Sequence, residues 1–247
     1  MNKFRTNIFY NKSSLNMTEI PNSSIDLIIT SPPYNVNKEY EDFKSDKEYQ
    51  DFINQSLKEC CRVLKDDGRI CWNVVGTITS KGRIFSPLYV SMKGFEYANI
   101  NLRDIIVWDQ LNSENDTAWG SWVSASSPHL RHKTEFILVG FKKYWKKQTK
   151  RESDITRDEF LKLTLDIWKM PTENRYRKIH PCPFPEILVY NCLKLFSFKN
   201  DIILDPFAGT GTTLVVAKKL GRQYIGYEKE KKYISLIKER LSQEYLF

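Results

Sequence analysis

Asp201-Ile202-Ile203-Leu204-Asp205-Pro206-Phe207-Ala208-Gly209-Thr210-Gly211-Thr212-Thr213 is the stretch on which the fold turns. A short β-branched apolar run, Asp201–Leu204, reads as a buried strand, and Pro206 and two glycines then break it. Thr212–Leu220 reads as a helix leaving the glycine turn. Downstream, Tyr224–Tyr227 predicts another strand ending at Glu228, and Lys229–Leu246 a closing helix. Upstream, Leu188–Leu195 is helical in pattern. The alternation continues toward the N-terminus: strand Ile25–Thr30, amphipathic helix Lys47–Leu64, turn Asp66-Asp67-Gly68, strand Arg69–Val75 and helix Leu88–Tyr97. Strands Arg103–Trp108 and Thr134–Phe141 follow. Strands alternating with helices predict an α/β fold, a mostly parallel twisted sheet with helices on both faces. Periodicity lapses over Lys142–Lys178, the expected insertion.

The bulk properties agree. At 247 residues, 41% of them hydrophobic, the chain can build one large core, and disorder is excluded. No apolar run is long enough to cross a bilayer, and Met1–Tyr10 lacks the apolar segment of a secretory signal. Five cysteines without a CxxC pair argue against a disulfide framework and a zinc site, so a reducing, cytoplasmic compartment is expected. His129, His132 and His180 have no metal-site spacing, and no metal is expected. A formal charge of +8 favours a polyanionic partner.

Gly209 and Gly211 allow close backbone approach to a ligand at a helix N-terminus. The turn lacks both the third glycine of a dinucleotide fingerprint and the Gly-Lys-Ser/Thr of a phosphate loop. Glu228, 23 residues beyond Asp205, stands at the tip of the next strand, placed to accept ribose hydroxyls. A nucleoside-bearing cofactor without pyrophosphate fits this pattern, and S-adenosyl-L-methionine is the natural candidate. An ordinary tight strand–helix turn is the bland alternative.

Ser31-Pro32-Pro33-Tyr34 ends the strand Ile25–Thr30. Neither proline carries an N–H, so the corner offers acceptors: the Ser31 hydroxyl and the carbonyls of Ser31 and Pro32. Such a corner suits a substrate that brings donors, such as the exocyclic amino group of a nucleobase. Accepting the amino protons helps localise the nitrogen lone pair for attack on a methyl cation equivalent. Tyr34 is suited to stack on a base taken out of its duplex. Taken alone, the four residues also describe a rigid turn.

Together, Ile25–Tyr34 and Asp205–Thr213 resemble the amino-group DNA methyltransferases, which methylate cytosine N4 or adenine N6. The order, catalytic motif first and cofactor loop late, is similar to the permuted β class found in restriction–modification systems. Arg62–Lys65, Asp104–Trp108, Thr134–Val139, His180–Glu186 and Arg222–Glu228 also resemble family segments. The resemblance implies a Rossmann-like S-adenosylmethionine-dependent fold. Residues 1–141 would be its catalytic part, 142–178 a target-recognition insertion and 179–247 its cofactor-binding part. It implies catalytic roles for Ser31, Pro32, Pro33 and Tyr34. Cofactor contacts are implied for Asp205, Pro206, Phe207, Ala208, Gly209, Thr210, Gly211, Thr212, Thr213, Glu228, His180 and Pro181. Ser31, where adenine-specific members usually carry Asp or Asn, and Phe184, where many have Lys, lean toward cytosine N4. Adenine N6 is the alternative on the same scaffold. Double-stranded DNA is the implied partner, with a cognate restriction endonuclease in the same system; monomer and homodimer both stay open.

Lys142, Lys143, Lys146, Lys147, Lys150 and Arg151 form the densest basic run, with Tyr144 and Trp145 inside it. At the start of the implied recognition segment it is expected to contact DNA phosphates. Arg175 and Arg177, with Glu173 and Asn174, suit base readout. Cys182 follows a proline as in C5-cytosine enzymes, but the motif order here is reversed, so packing is expected of it. His180 is expected to be structural rather than a general base. The loop Trp119–Arg131 is expected either to lie over the target or to form a lid packed on the core.

Overall fold

The computed structural model describes residues 4–35, 45–80, 83–111, 120–173 and 185–243. Ten strands are present among them: β1 (Ile8–Tyr10), β2 (Ile25–Thr30), β3 (Leu64–Val75), β4 (Ile78–Ser80), β5 (Arg83–Phe85), β6 (Asn101–Gln110), β7 (Thr134–Phe141), β8 (Ile167–Met170), β9 (Ile202–Asp205) and β10 (Gln223–Tyr227). The helices are α1 (Asp46–Val63), α2 (Pro87–Tyr97), α3 (Arg157–Leu163), α4 (Glu186–Phe196), α5 (Thr212–Lys219) and α6 (Lys231–Ser242). Eight strands form one sheet in the order β1-β10-β9-β2-β3-β7-β6-β8, while β4 and β5 make a separate hairpin. Every neighbouring pair in that sheet is parallel except those made by β7, which runs against both β3 and β6. The expected mostly parallel α/β sheet is therefore observed.

The sheet separates two apolar layers. Ile28, Trp72 and Leu138 face α1 and α2, whereas Leu27, Ile29 and Val139 face α4 and α5. Both faces of β2 are covered, which is why its sequence is a continuous apolar run rather than an alternation. Helix α1 starts where the Ser45 hydroxyl accepts the N–H of Glu48, capping an orphan donor. It approaches α2 closely at Gly94, where a Cβ would lie 2.6 Å from Leu57 Cδ1.

Two expectations are corrected. Asp66-Asp67-Gly68 does not separate a helix from a later strand, because β3 already begins at Leu64. The register steps from Ile25–Leu64 to Leu27–Arg69, so the turn-forming residues make a wide bulge inside one strand. Residues 142–178 are also not wholly an insertion. Their β8 extends the sheet beside β6, and Leu163, Trp168 and Met170 enter the core. Alternating burial in only four residues is too short a signal to stand out from the charged residues around it.

Candidate active site

The order of the parallel strands decides where the site forms. Strands β2, β9 and β10 are close neighbours running the same way, so the segments leaving them emerge together at one end of the sheet. Ser31–Tyr34 leaves β2, Pro206–Gly211 leaves β9 and Glu228 leaves β10. A cleft partly open to solvent is lined by all three segments. From the expected residues it takes Ser31, Pro32, Pro33, Tyr34, Pro206, Phe207, Ala208, Gly209, Thr210, Thr212 and Glu228.

Asp205, Gly211 and Thr213 do not line the cleft. Asp205 is buried and accepts hydrogen bonds from the Thr30 hydroxyl at 2.6 Å and the Phe207 N–H at 3.0 Å. Burial pushes its carboxyl up to about 6, against these bonds. Gly211 adopts φ +80°, a left-handed conformation costly for side chains, and a Cβ there would lie 3.2 Å from Ile237 Cγ1. Its glycine is therefore required by turn geometry and by packing on α6 rather than by ligand approach. Thr213, fully buried, directs its hydroxyl to the Ile29 carbonyl at 3.5 Å.

The turn's amides are already engaged. Gly209 N–H donates to Glu228 Oε2 at 2.7 Å and Gly211 N–H donates to the Ala208 carbonyl at 2.7 Å. A phosphate cradle needs such amides turned toward the ligand, and Gly209 and Gly211 do not offer theirs. Glu228 also accepts the Glu230 N–H at 2.7 Å on its other oxygen, leaving lone pairs on both for further donors. Burial raises its carboxyl to about 7 despite these bonds. Arg240 braces the turn from α6, donating to the Thr210 carbonyl at 2.8 Å and to Glu186 at 2.9 Å.

At the proline corner, the Ser31 and Tyr34 hydroxyls lie 2.6 Å apart. The Pro33 carbonyl accepts the Tyr49 hydroxyl at 2.8 Å, which anchors the corner to α1. Beneath Tyr34 lie Asn73 of β3 and Glu135 of β7. Sequence patterns did not single these out, since each is a lone polar residue flanked by apolar neighbours only on one side or within a short run, with no motif around it. The cleft also recruits Lys12, Ser13 and Ser14 after β1, Phe52 of α1, and Tyr233 of α6. β1 has only three residues, and its place beside β10 depends on parallel pairing that no local pattern announces.

The basic run sits at the other end of the sheet, where the parallel strands begin. Lys142 donates to the Leu64 carbonyl at 2.8 Å and Lys143 to Asp66 at 2.8 Å. Lys147 donates to the Asp26 carbonyl at 3.1 Å, and burial lowers the pKa of its amine. Arg151 pairs with Asp201 at 2.7 Å. Trp145 packs between Phe141 and Phe196, with the Arg69 guanidinium 4.4 Å from its ring centroid. The length of β2, five residue steps at about 3.3 Å each, puts this end roughly 16 Å from the corner. Of the six residues expected to contact DNA phosphates, Lys142, Lys147 and Arg151 also hold strand starts together, and the exposed Lys143, Lys146 and Lys150 lie away from the cleft.

Residues 120–131 leave the cleft end of the sheet, between β6 and β7. Gly120 bridges to Pro128, and Trp122, Val123 and Leu130 are largely exposed, at 70%, 86% and 84%. This stretch is not a lid packed on the core. His180, Pro181, Arg175, Arg177, Asn174, Cys182, Phe184 and Trp119 lie outside the described residues. Among the described residues, no helix is long and apolar enough to cross a membrane.

Comparison with known proteins gives the same outline. A family model described as DNA methylase matches residues 25–239. The type II methyltransferase M.MjaVI of Methanocaldococcus jannaschii is 40% identical over 183 residues, spanning 70% of this chain and 90% of the relative. The type II methyltransferase M.BglII of Bacillus subtilis is 33% identical over 256 residues, 98% of this chain and 71% of the relative. Among solved structures, TTHA0409 of Thermus thermophilus in complex with S-adenosyl-L-methionine superposes with a TM-score of 0.76 at 24% identity. That match covers 95% of this chain and 92% of TTHA0409. The cytosine-N4-specific PvuII DNA methyltransferase superposes with a TM-score of 0.75 at 21% identity, covering 97% of this chain and 87% of that one.

Proposed function

The chain belongs to the DNA methylase family, and on that premise we propose that it methylates the exocyclic N4 of a cytosine taken out of double-stranded DNA, with S-adenosyl-L-methionine as donor. The observation that carries this is the single cleft lined by both Ser31–Tyr34 and Pro206–Thr210, segments from opposite parts of the chain. When bound, S-adenosylmethionine supplies an electrophilic methyl on a positively charged sulfur.

The residues present fit that cofactor. Glu228 offers carboxylate oxygens to hydroxyl donors, the amides of Gly209 and Gly211 are spent internally, and Phe207 and Tyr227 give apolar walls. These groups hold a nucleoside without asking for phosphate. At the opposite side of the cleft the Ser31 hydroxyl and the Pro32 carbonyl accept the two amino protons. That withdraws the nitrogen lone pair from conjugation with the ring. Tyr34 provides a face for the extruded base. Acceleration comes from holding nitrogen and methyl in one orientation, with no covalent enzyme intermediate. The thiols of Cys60, Cys71 and Cys192 are buried among apolar groups and take no part.

Ser31 before the prolines favours cytosine over adenine. The activity is the modification half of a restriction–modification pair, with a cognate endonuclease acting on the same site. The test is direct: incubate the protein with methyl-labelled cofactor and unmethylated phage DNA, digest to nucleosides, and identify the product by mass spectrometry. N4-methylcytosine is expected. N6-methyladenine overturns the choice of base, and no methylated nucleoside overturns the proposed activity.

A further inference from the structure

Behind the proline corner, Ser31 and Tyr34 continue into a polar chain whose inner members, Asn73, Glu135 and Gln110, the activity proposed above does not use. The Ser31 and Tyr34 hydroxyls are 2.6 Å apart. Tyr34 Oη lies 3.2 Å from Glu135 Oε2 and 3.2 Å from the Asn73 side-chain amide nitrogen. Asn73 Nδ2 also donates to Glu135 Oε2 at 2.5 Å, and Gln110 Nε2 donates to Glu135 Oε1 at 2.8 Å. Asn73 is 2% exposed and Tyr34 8% exposed, while Ser31, Gln110 and Glu135 are half-buried.

With Glu135 ionised, one direction of hydrogen bonding satisfies the network; burial raises the pKa of that carboxyl, and the Asn73, Tyr34 and Gln110 donors lower it. An ionised carboxylate only accepts, and a tyrosine hydroxyl has a single proton. The Tyr34 proton therefore goes to Glu135, the stronger acceptor beside the more distant Asn73 carbonyl at 3.4 Å. Asn73 Nδ2 occupies one lone pair of the Tyr34 oxygen. The other lone pair is left for the Ser31 proton. With its own proton directed inward, the Ser31 oxygen turns lone pairs toward the cleft. That is the state an amino-group substrate requires, because a Ser31 hydroxyl pointing outward would donate to the nitrogen and tie up its lone pair.

We propose that Glu135, acting through Tyr34, is a positioning residue that sets the Ser31 hydroxyl as an acceptor toward the substrate's amino group. The inference rests on the amino-methylating role proposed above. Without an acceptor at position 135, Tyr34 donates to Ser31 instead, and Ser31 presents its proton to the cleft.

The sign of the interaction between two substitutions tests this in the full-length enzyme, with labelled S-adenosylmethionine and unmethylated phage DNA. Glu135→Met, similar in volume and without an acceptor, is expected to lower kcat on the order of a hundredfold while the dissociation constant for S-adenosylmethionine stays within about twofold. Tyr34→Phe removes the misdirected donor, so the double variant is expected to be faster than Glu135→Met alone. Losses that multiply, or an undiminished kcat in Glu135→Met, overturn the proposal. If Glu135→Met no longer binds cofactor, the isosteric Glu135→Gln serves. Its smaller loss is expected to vanish in the Tyr34→Phe background, and a loss that persists there overturns the proposal. Wild-type enzyme that methylates no DNA removes the underlying activity and this inference with it, an outcome distinct from active wild type with additive variants.

Discussion

The Thr30 hydroxyl donates to Asp205 Oδ1 at 2.6 Å although 175 positions separate the two residues. One is the last residue of β2 before the Ser31 corner and the other is the last residue of β9 before the glycine turn. This buried bond ties the proline-corner side of the cleft to its glycine-turn side, at the point where two adjacent strand tips open toward it.

Thr30→Val keeps the side chain's shape and removes that donor. A buried carboxyl deprived of a partner is expected to cost about 1–3 kcal/mol of stability. Asp205 should also titrate higher than about 6, since Thr30 is the leading influence holding it down against burial. Denaturant unfolding of both proteins at neutral pH checks the stability. The same comparison at pH 4 should show a smaller difference, because protonated Asp205 needs the Thr30 proton less.

Ser31→Ala removes the side-chain acceptor while the two prolines hold the corner. Methyl transfer is expected to fall by on the order of a hundredfold or more, with cofactor affinity changed less than about twofold. Single-turnover transfer and calorimetric titration separate the two effects. Full turnover in the variant would remove Ser31 from the chemistry.

Glu228, proposed to hold the cofactor, is expected to make cofactor binding dependent on pH. Its folded pKa of about 7 lies above the ordinary 4.5, so the stability associated with its neutral form is present below about 4.5 and is lost as pH rises through 7. Hydroxyl donors from a bound ribose favour the ionised form and reverse that trend. The affinity for S-adenosylmethionine is therefore expected to tighten from pH 6 to pH 8, with protons released on binding. Glu228→Gln should weaken binding by about tenfold or more and flatten the pH dependence. Calorimetry in buffers of different ionisation enthalpy measures both.

The basic run makes a negative prediction. Lys146 and Lys150 are exposed, but they lie at the strand-start end, away from the cleft. Replacing both with alanine is expected to change DNA affinity by less than about twofold and leave its salt dependence unaltered. A flattened salt slope would show that phosphates reach that end of the sheet.

The sequence by itself determined the alternation of strands and helices, the proline corner, the glycine turn and the acid at the tip of β10. Each is written in contiguous residues whose backbone restrictions act locally. Pro32 and Pro33 end a strand wherever they occur, and Gly211 allows a positive φ whatever lies around it. Charge density is equally local, and it carries no mark of internal partners: of the six basic residues in ten, three bind Leu64, Asp26 and Asp201. Only the tertiary structure decided that Ser31 and Gly209 share a cleft, that Lys12–Ser14 and Tyr233 join it, and that Glu135 stands behind Tyr34. Those neighbours are set by strand order and by the antiparallel insertion of β7, which arise from packing between distant segments. A single glutamate in an apolar strand carries no mark of the face it serves until the sheet around it is assembled.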